Sequence, residues 1–171
     1  MNVETTLTRP QTPEHDERQR AVIDDRSEHR SSWWWLVARF LGALAVLAVG
    51  VIHLQQYFGP YSTIPNIGTL FLVNFALATV IGLALLAPIE HFTGRAAGAA
   101  VGLVSLAGIA LSAGSFVLLA ISEQRPLFGF MEPGYDRVAI AASRAAEIVA
   151  VVLLTVSLIG RFVPRRAKAR W

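Results

Sequence analysis

The sequence contains no cysteine, which excludes disulfide bonds, thiolate metal sites and cysteine nucleophiles. Charge is also scarce, since Asp, Glu, Lys and Arg make up 16% of the 171 residues, against about a quarter in an ordinary soluble protein. The charges gather at the ends: twelve fall in the first 32 positions and five in the last eleven. The middle of the chain is therefore apolar enough to be solvated by a lipid bilayer.

Motifs for several chemistries are missing as well. The chain has no Gly-rich phosphate loop and no HExxH-type or HxxEH-type metal motif. Haem binding by two histidines would need a second His near His53, but His91 falls at the opposite membrane face. The serines of the apolar segments lie on a helix-packing stripe, which argues against a serine nucleophile. We predict no catalytic residue and no metal site, and we assign no cofactor, although a quinone or a lipid is compatible with the sequence.

The apolar part of the chain divides into four segments, at about 34–57, 66–89, 96–122 and 138–162. About 20 apolar residues are enough for a helix to cross the hydrocarbon core. Within lipid, each segment must satisfy its own backbone hydrogen bonds, and an α-helix does so. The sequence therefore predicts an all-α polytopic membrane protein, with a four-transmembrane-helix bundle formed by residues 33–163.

Both ends of the chain are polar. Residues 1–32 hold seven acids, five arginines and few large apolar side chains, so we expect a mostly disordered tail, with a helix from about Pro13 to Arg30 as an option. Residues 164–171 form a basic tail. If both termini are cytoplasmic, twelve Lys and Arg residues lie inside and two lie outside. This bias predicts cytoplasmic termini, and the basic excess beside membrane spans argues against nucleic acid as a partner.

The third apolar segment is unusually rich in small residues. Small side chains allow helices to approach closely in lipid, where close packing replaces the hydrophobic effect as the force between helices. We therefore predict that the third helix is the packing centre of the bundle, although a groove for a lipid or a partner helix is an alternative. The stripe that carries this prediction consists of Gly94, Gly98, Gly102, Ser105, Gly108 and Ser112.

Four polar side chains fall inside the predicted spans: His53, Asn74, Arg144 and Glu147. At about 1.5 Å per residue, all four lie in the outer half of the membrane. Arg144 and Glu147 share a helix face and are expected to form a neutralising pair. The cluster is either a structural network that fixes helix register or a polar pocket open to the outer face. Gln56, Tyr57 and Tyr61 are candidates for the rim of such a pocket.

Two stretches of the chain have a pattern that is also found in other proteins. The first runs through Gly50, His53 and Tyr57 and continues from Ile64 to Asn74, and the second joins Tyr135 and Arg137 to the Ala-rich span that holds Glu147. Over about residues 35–162 the chain resembles uncharacterised four-span membrane proteins of actinobacteria. The resemblance implies a bacterial plasma membrane and transfers no functional residue.

Three functions remain open on the sequence alone. The first is an accessory or stabilising subunit of a larger plasma-membrane complex, because the chain is small and shows no catalytic motif. The second is a membrane protein that binds a quinone, a lipid or another small molecule through the polar cluster, with redox or proton chemistry as an option. The third is an oligomeric transporter or channel. The expected partners are the lipid bilayer and other membrane subunits or further copies of the chain.

Overall fold

A computed structural model describes residues 13–88 and 96–162, with side chains from Trp33 to Arg161 within these ranges. Residues 1–12, the predicted basic tail at 164–171 and the stripe residue Gly94 lie outside the described residues. Internal contacts divide the chain into one unit of residues 1–34 and a second of residues 35–171. The features below belong to the second unit unless the first is named.

Helices dominate the described residues. The elements are α1 (Pro13–Gln56), a π-helical turn (Tyr57–Tyr61), α2 (Ile67–Leu86), α3 (Ala97–Ser122) and α4 (Arg137–Phe162). Four helical segments are long and apolar enough to cross a membrane: Trp33–Tyr61, Ile67–Leu86, Ala97–Ser122 and Arg137–Arg161. These segments match the four predicted spans to within a few residues, so the all-α four-helix prediction is confirmed for the described part of the chain.

Proline residues lie at the start of α1 and just after the end of α2. Residues 13–32 of the first unit are helical, whereas composition favoured disorder and offered this helix as the option. Pro13 suits the first turn, because the N–H that proline lacks would have no partner within the helix there. α2 stops at Leu86, short of the predicted limit near residue 89. Ala87 is extended because the residue before a proline, here Pro88, is sterically excluded from helical geometry.

The middle of the small-residue stripe of α3 is buried, but α3 as a whole is the least buried of the four apolar segments, so its role as the packing centre stays a prediction. Gly102, Ser105, Gly108 and Ser112 are buried. A Cβ on Gly108 would lie 2.8 Å from Leu154 Cδ1 in α4 and 3.3 Å from Ile81 Cγ2 in α2, so α3 approaches both neighbours closely here. Gly98 is only half-buried and lies beside the Arg161 guanidinium group.

Close helix approach is not confined to α3, a feature that the sequence prediction missed. A Cβ on Gly82 of α2 would lie 2.5 Å from Leu47 Cγ, and one on Gly42 of α1 would lie 2.7 Å from Leu154 Cδ2. Thus α1 packs against both α2 and α4, and α3 also packs against both. The apolar centre between the helices is filled by Ala43, Val46, Ala78, Leu85, Ala150 and Leu154.

Arg39 is a buried cation inside the first membrane-spanning segment. An arginine near the end of a span can extend its side chain back to the membrane surface, but Arg39 is only 2% exposed. Its Nε donates to the Leu85 carbonyl and its Nη2 to the Ala87 carbonyl, both at 2.8 Å. The last carbonyls of a helix have no partner within the helix and carry the negative end of its dipole. Arg39 therefore caps the C-terminus of α2.

Candidate functional site

Two connecting segments meet at one end of the bundle, which we call the loop end. They are residues 57–66, between α1 and α2, and residues 123–136, between α3 and α4. The Tyr61 hydroxyl donates to Glu132 Oε2 at 2.7 Å. Glu132 Oε1 accepts the backbone N–H groups of Gly134 at 2.8 Å and Tyr135 at 3.2 Å. Because Tyr61 and Glu132 are both buried, this one carboxyl group holds the two segments together.

A tight turn shapes the second of these segments. Leu127 and Phe130 exchange backbone hydrogen bonds of 2.7 and 2.9 Å. The two residues between them, Phe128 and Gly129, have φ angles of 51° and 82°. Positive φ at both central positions defines a type I′ turn, and an aromatic residue is strained there. The turn leaves Phe128 exposed and directs Leu127 and Phe130 toward the bundle interior, where they line a cavity.

The cavity lies among the helices just below the loop end and has a volume of about 280 Å³. Tyr61, Leu127, Phe130 and Glu132, which we call the lid, line it from the connecting segments. Its walls are mostly apolar side chains of α1, α2, α3 and α4, and polar groups occur among them at separate points. A mainly apolar cavity with a few convergent polar groups is the usual form of a small-molecule site.

Three of the four predicted cluster residues line this cavity: His53 from α1, Asn74 from α2 and Glu147 from α4. Glu147 is 1% exposed. The Ser143 hydroxyl donates to Glu147 Oε1 at 3.1 Å, whereas Glu147 Oε2 is buried without a hydrogen-bond partner. A buried carboxyl oxygen without a partner is costly, so it marks a position where a ligand or water hydrogen bond would be favourable.

Asn74 shows the same incomplete pairing. Its amide Nδ2 donates to the Ser115 hydroxyl of α3, while its Oδ1 is buried without a hydrogen-bond partner. Ser115 also lines the cavity. The Asn74–Ser115 bond thus fixes the register of α2 against α3, and it still leaves one acceptor of the amide unused.

His53 is held on the cavity wall by its own helix. Its Nδ1 lies 2.8 Å from the Val49 carbonyl oxygen. A carbonyl can only accept, so Nδ1 carries the proton and Nε2 is the acceptor of the neutral ring. The ring lies 5.1 Å from that of Phe71, and Phe71 stacks on Tyr61 at 4.7 Å with 14° between the planes. These three rings form an aromatic wall along the cavity.

The fourth cluster residue, Arg144, is not part of the cavity lining. We predicted that it would pair with Glu147, and this prediction is wrong. Arg144 Nη2 instead forms an ion pair with Glu123, just beyond the end of α3, and about a third of each side chain is exposed. A long arginine side chain near a helix end extends toward the polar interface rather than toward a dry interior. Glu147 is consequently left without a basic partner in contact.

Asp136 connects the start of α4 to the end of α1. Its Oδ1 accepts the backbone N–H of Ala139 at 2.9 Å, the normal geometry of an aspartate N-cap. Its Oδ2 accepts from the Gln56 amide at 3.1 Å. The Ala139 hydrogen bond, followed by that of Gln56, lowers the pKa of Asp136 from its usual value. The carboxylate therefore stays ionised and holds Gln56 at the mouth of the cavity.

The predicted rim is correct in two of its three positions. Gln56 and Tyr61 line the cavity, whereas the Tyr57 ring packs edge-on against Phe58, 5.4 Å away. The sequence analysis assigned no role to Glu132, Ser143 or Asp136. Glu132 could have been singled out from the sequence, since it is the one acid in the aromatic stretch 127–135. The role of Ser143 depends on its position one turn before Glu147.

No family model matches the chain, and no curated protein or solved structure matches it significantly. Among residues 13–88 and 96–162, no group of three or more His, Asp or Glu side chains is placed to hold a metal ion. Interpretation of the site therefore depends on its geometry.

Proposed function

We propose that this protein is an integral membrane protein that binds a small molecule with a hydroxyl-bearing head in the loop-end cavity. The observation that carries the proposal is the pair of unpartnered acceptors, Glu147 Oε2 and Asn74 Oδ1, on residues that line one cavity. Buried polar atoms are nearly always hydrogen-bonded. A bound molecule that supplies donors would complete both.

The arrangement of polar atoms favours a donor head. The Asn74 amide oxygen accepts, the Glu147 oxygens accept when the carboxyl group is ionised, and Nε2 of His53 is a third acceptor when the ring is neutral. Hydroxyl groups match this set because they donate and can rotate toward each acceptor. The aromatic wall of His53, Phe71 and Tyr61 favours a flat ring, since offset stacking adds about 0.5–1.5 kcal/mol per pair. A hydroquinone has both properties.

The size of the cavity agrees with a compact head. About 280 Å³ is close to the lower end of small-molecule sites, which span about 300–1,000 Å³. It accommodates a substituted aromatic ring, and the apolar lining contacts the ring faces while Glu147 and Asn74 bind the hydroxyl groups.

The test is calorimetric titration of the detergent-solubilised protein with a tail-free probe, 2,3-dimethoxy-5-methylhydroquinone. We expect the wild type to bind it, and Glu147→Leu to weaken binding about 10–100-fold, because a hydrogen bond to a charged group contributes about 1.5–3 kcal/mol. Glu147→Gln keeps an acceptor and should bind with intermediate affinity. The di-O-methyl ether of the probe has no donor and should bind at least about tenfold more weakly.

Ser112→Ala provides the matched control. The Ser112 hydroxyl is also buried and unpartnered, but Ser112 does not line the cavity. Its removal should leave probe affinity unchanged. If the wild type does not bind the probe, or if Glu147→Leu and Ser112→Ala bind it equally, the acceptors are satisfied by water and the proposal is wrong.

We further propose that the protein lies in the plasma membrane with both termini in the cytoplasm, so that the loop end faces outward. The distribution of Lys and Arg supports this orientation. Because the chain has no cysteine, single-cysteine variants report on it directly. A membrane-impermeant maleimide added to intact cells should label Thr63→Cys at the loop end and not Ala96→Cys at the start of α3. Both should react after lysis, and labelling of Ala96→Cys alone in intact cells would reverse the orientation.

A further inference from the structure

One side of the cavity is open between α2 and α3. Among its lining residues, Leu70 and Val73 of α2 and Gly114 and Leu118 of α3 are exposed on the bundle surface. A Cβ built on Gly114 would meet no atom within 4 Å. The wall of the cavity is therefore incomplete at this glycine, although α2 and α3 are in contact deeper in the bundle, at Ile81 and Gly108.

The depth of this opening determines what it faces. Gly114 lies eight residues before the end of α3 at Ser122, which is about 12 Å along the helix axis. The hydrocarbon core of a bilayer is about 30 Å thick, so an opening at this depth in a membrane-spanning helix faces acyl chains. Leu70, Val73 and Leu118 beside it are apolar, as a surface in contact with hydrocarbon requires.

The loop end is more closed than this side. Tyr61 and Glu132 are hydrogen-bonded to each other and are 2% and 8% exposed, respectively. Phe130 packs edge-on to Tyr61 at 6.0 Å. A molecule that reaches Glu147 through the loop end must separate these contacts, whereas one that approaches from the bilayer passes Gly114.

We propose that the ligand is a lipid-soluble molecule, with a hydroxylated aromatic ring on a long apolar tail, that reaches the cavity sideways from the bilayer between α2 and α3. The inference rests on the proposed function, since the ring is the head bound at Glu147 and Asn74. A ring fills much of the 280 Å³ available, so the tail must leave the cavity. The gap at Gly114 leads it into the acyl chains of the lipid.

The experiment compares two probes in lipid nanodiscs: the tail-free hydroquinone and the same ring with a ten-carbon alkyl chain. With both concentrations expressed per total sample volume, we expect the wild type to bind the tailed probe at least tenfold more tightly, because the tail concentrates this probe in the bilayer from which it enters. Gly114→Phe should fill the gap and remove this advantage, so that both probes bind within about twofold of each other.

Ala107→Phe is the matched control. Ala107 is exposed on α3 two turns before Gly114, on the same face of the helix, and does not line the cavity. It receives the same added bulk, and we expect it to keep the full preference for the tailed probe. If Gly114→Phe also keeps that preference, the sideways path is wrong, whereas the proposed function stands provided that Glu147→Leu still weakens the tail-free probe.

Two further outcomes would overturn the inference. If Gly114→Phe no longer binds the tail-free probe, Gly114 contacts the ring of the ligand rather than its tail. Dioleoylglycerol has a hydroxyl group and apolar chains but no ring. Its displacement of the tailed probe at equal membrane concentration would assign the site to glycerolipids. Failure of the wild type to bind the tail-free probe is the separate result that would refute the proposed function itself.

Discussion

Replacement of Arg39 by alanine is expected to lower the free energy of unfolding by about 2–5 kcal/mol, since each buried acceptor left unsatisfied costs about 1–3 kcal/mol. The side chain donates to the carbonyl groups of Leu85 and Ala87 from a buried position. The end of α2 would also lose the cation that opposes its helix dipole.

The measurement is unfolding of the detergent-solubilised protein, monitored by helical circular dichroism. Arg39→Lys should recover only part of the loss, because an ammonium group is a point charge and does not reproduce two hydrogen bonds in fixed directions. Arg125→Ala is the control, since Arg125 is exposed in the loop between α3 and α4 and should change stability by less than about 0.5 kcal/mol. Equal stability of the Arg39→Ala and Arg125→Ala proteins would disprove the capping role.

Gly68→Ala is expected to damage both stability and binding. A Cβ on Gly68 would lie 2.9 Å from the Tyr61 carbonyl oxygen and 3.2 Å from that of Ser62. Both atoms belong to the backbone, which cannot move aside as a flexible side chain can. The connecting segment must shift and carry Tyr61 away from Glu132, at a cost of about 1–3 kcal/mol for overpacking. Affinity for the tail-free hydroquinone should fall at least about tenfold, a loss of about 1.4 kcal/mol.

Gly114→Ala adds the same methyl group to a helix at a position where nothing lies within 4 Å. It should keep probe affinity and gain up to about 1 kcal/mol of stability, because alanine favours helix more than glycine does. Thermal unfolding and calorimetric titration of the two variants side by side distinguish the outcomes. If Gly68→Ala unfolds and binds as Gly114→Ala does, the contact between α2 and the first connecting segment has no role in holding the lid.

Most of the fold was predictable because the hydropathy of a membrane span is averaged over many residues. Four mostly apolar segments of 20 or more residues average out local exceptions, and the small-residue stripe of α3 repeats at helical spacing. The start of α1 at Pro13 was harder, since a charged helix and a disordered tail have similar compositions. The capping role of Arg39 was not predictable from the sequence either. Its distance from the span end is visible in the sequence, but its partner, the end of α2, is 46 residues away.

The site was predictable in part. Depth along the helices brought His53, Asn74 and Glu147 together correctly, because polar residues in membrane spans face the bundle interior. The depth of a residue in the membrane does not show which way its side chain points around the helix axis. For this reason Arg144 was predicted to pair with Glu147, whereas it pairs with Glu123. The lid depends on a hydrogen bond between residues 71 positions apart. A cavity is a property of packed side chains that no sequence pattern displays. Its presence puts the small-molecule function ahead of the accessory-subunit prediction that the sequence alone favoured, which stays a prediction.

The chain order of the site has a consequence for biosynthesis. The lid acid Glu132, the cap Asp136 and the buried Glu147 all follow α3 in the sequence, whereas their partners Tyr61 and Gln56 precede it. A partly synthesised chain that has only its first three helices contains the aromatic wall. It lacks the Glu147 carboxyl group and the lid residues that follow α3. The cavity is therefore completed only when α4 packs against the first three helices.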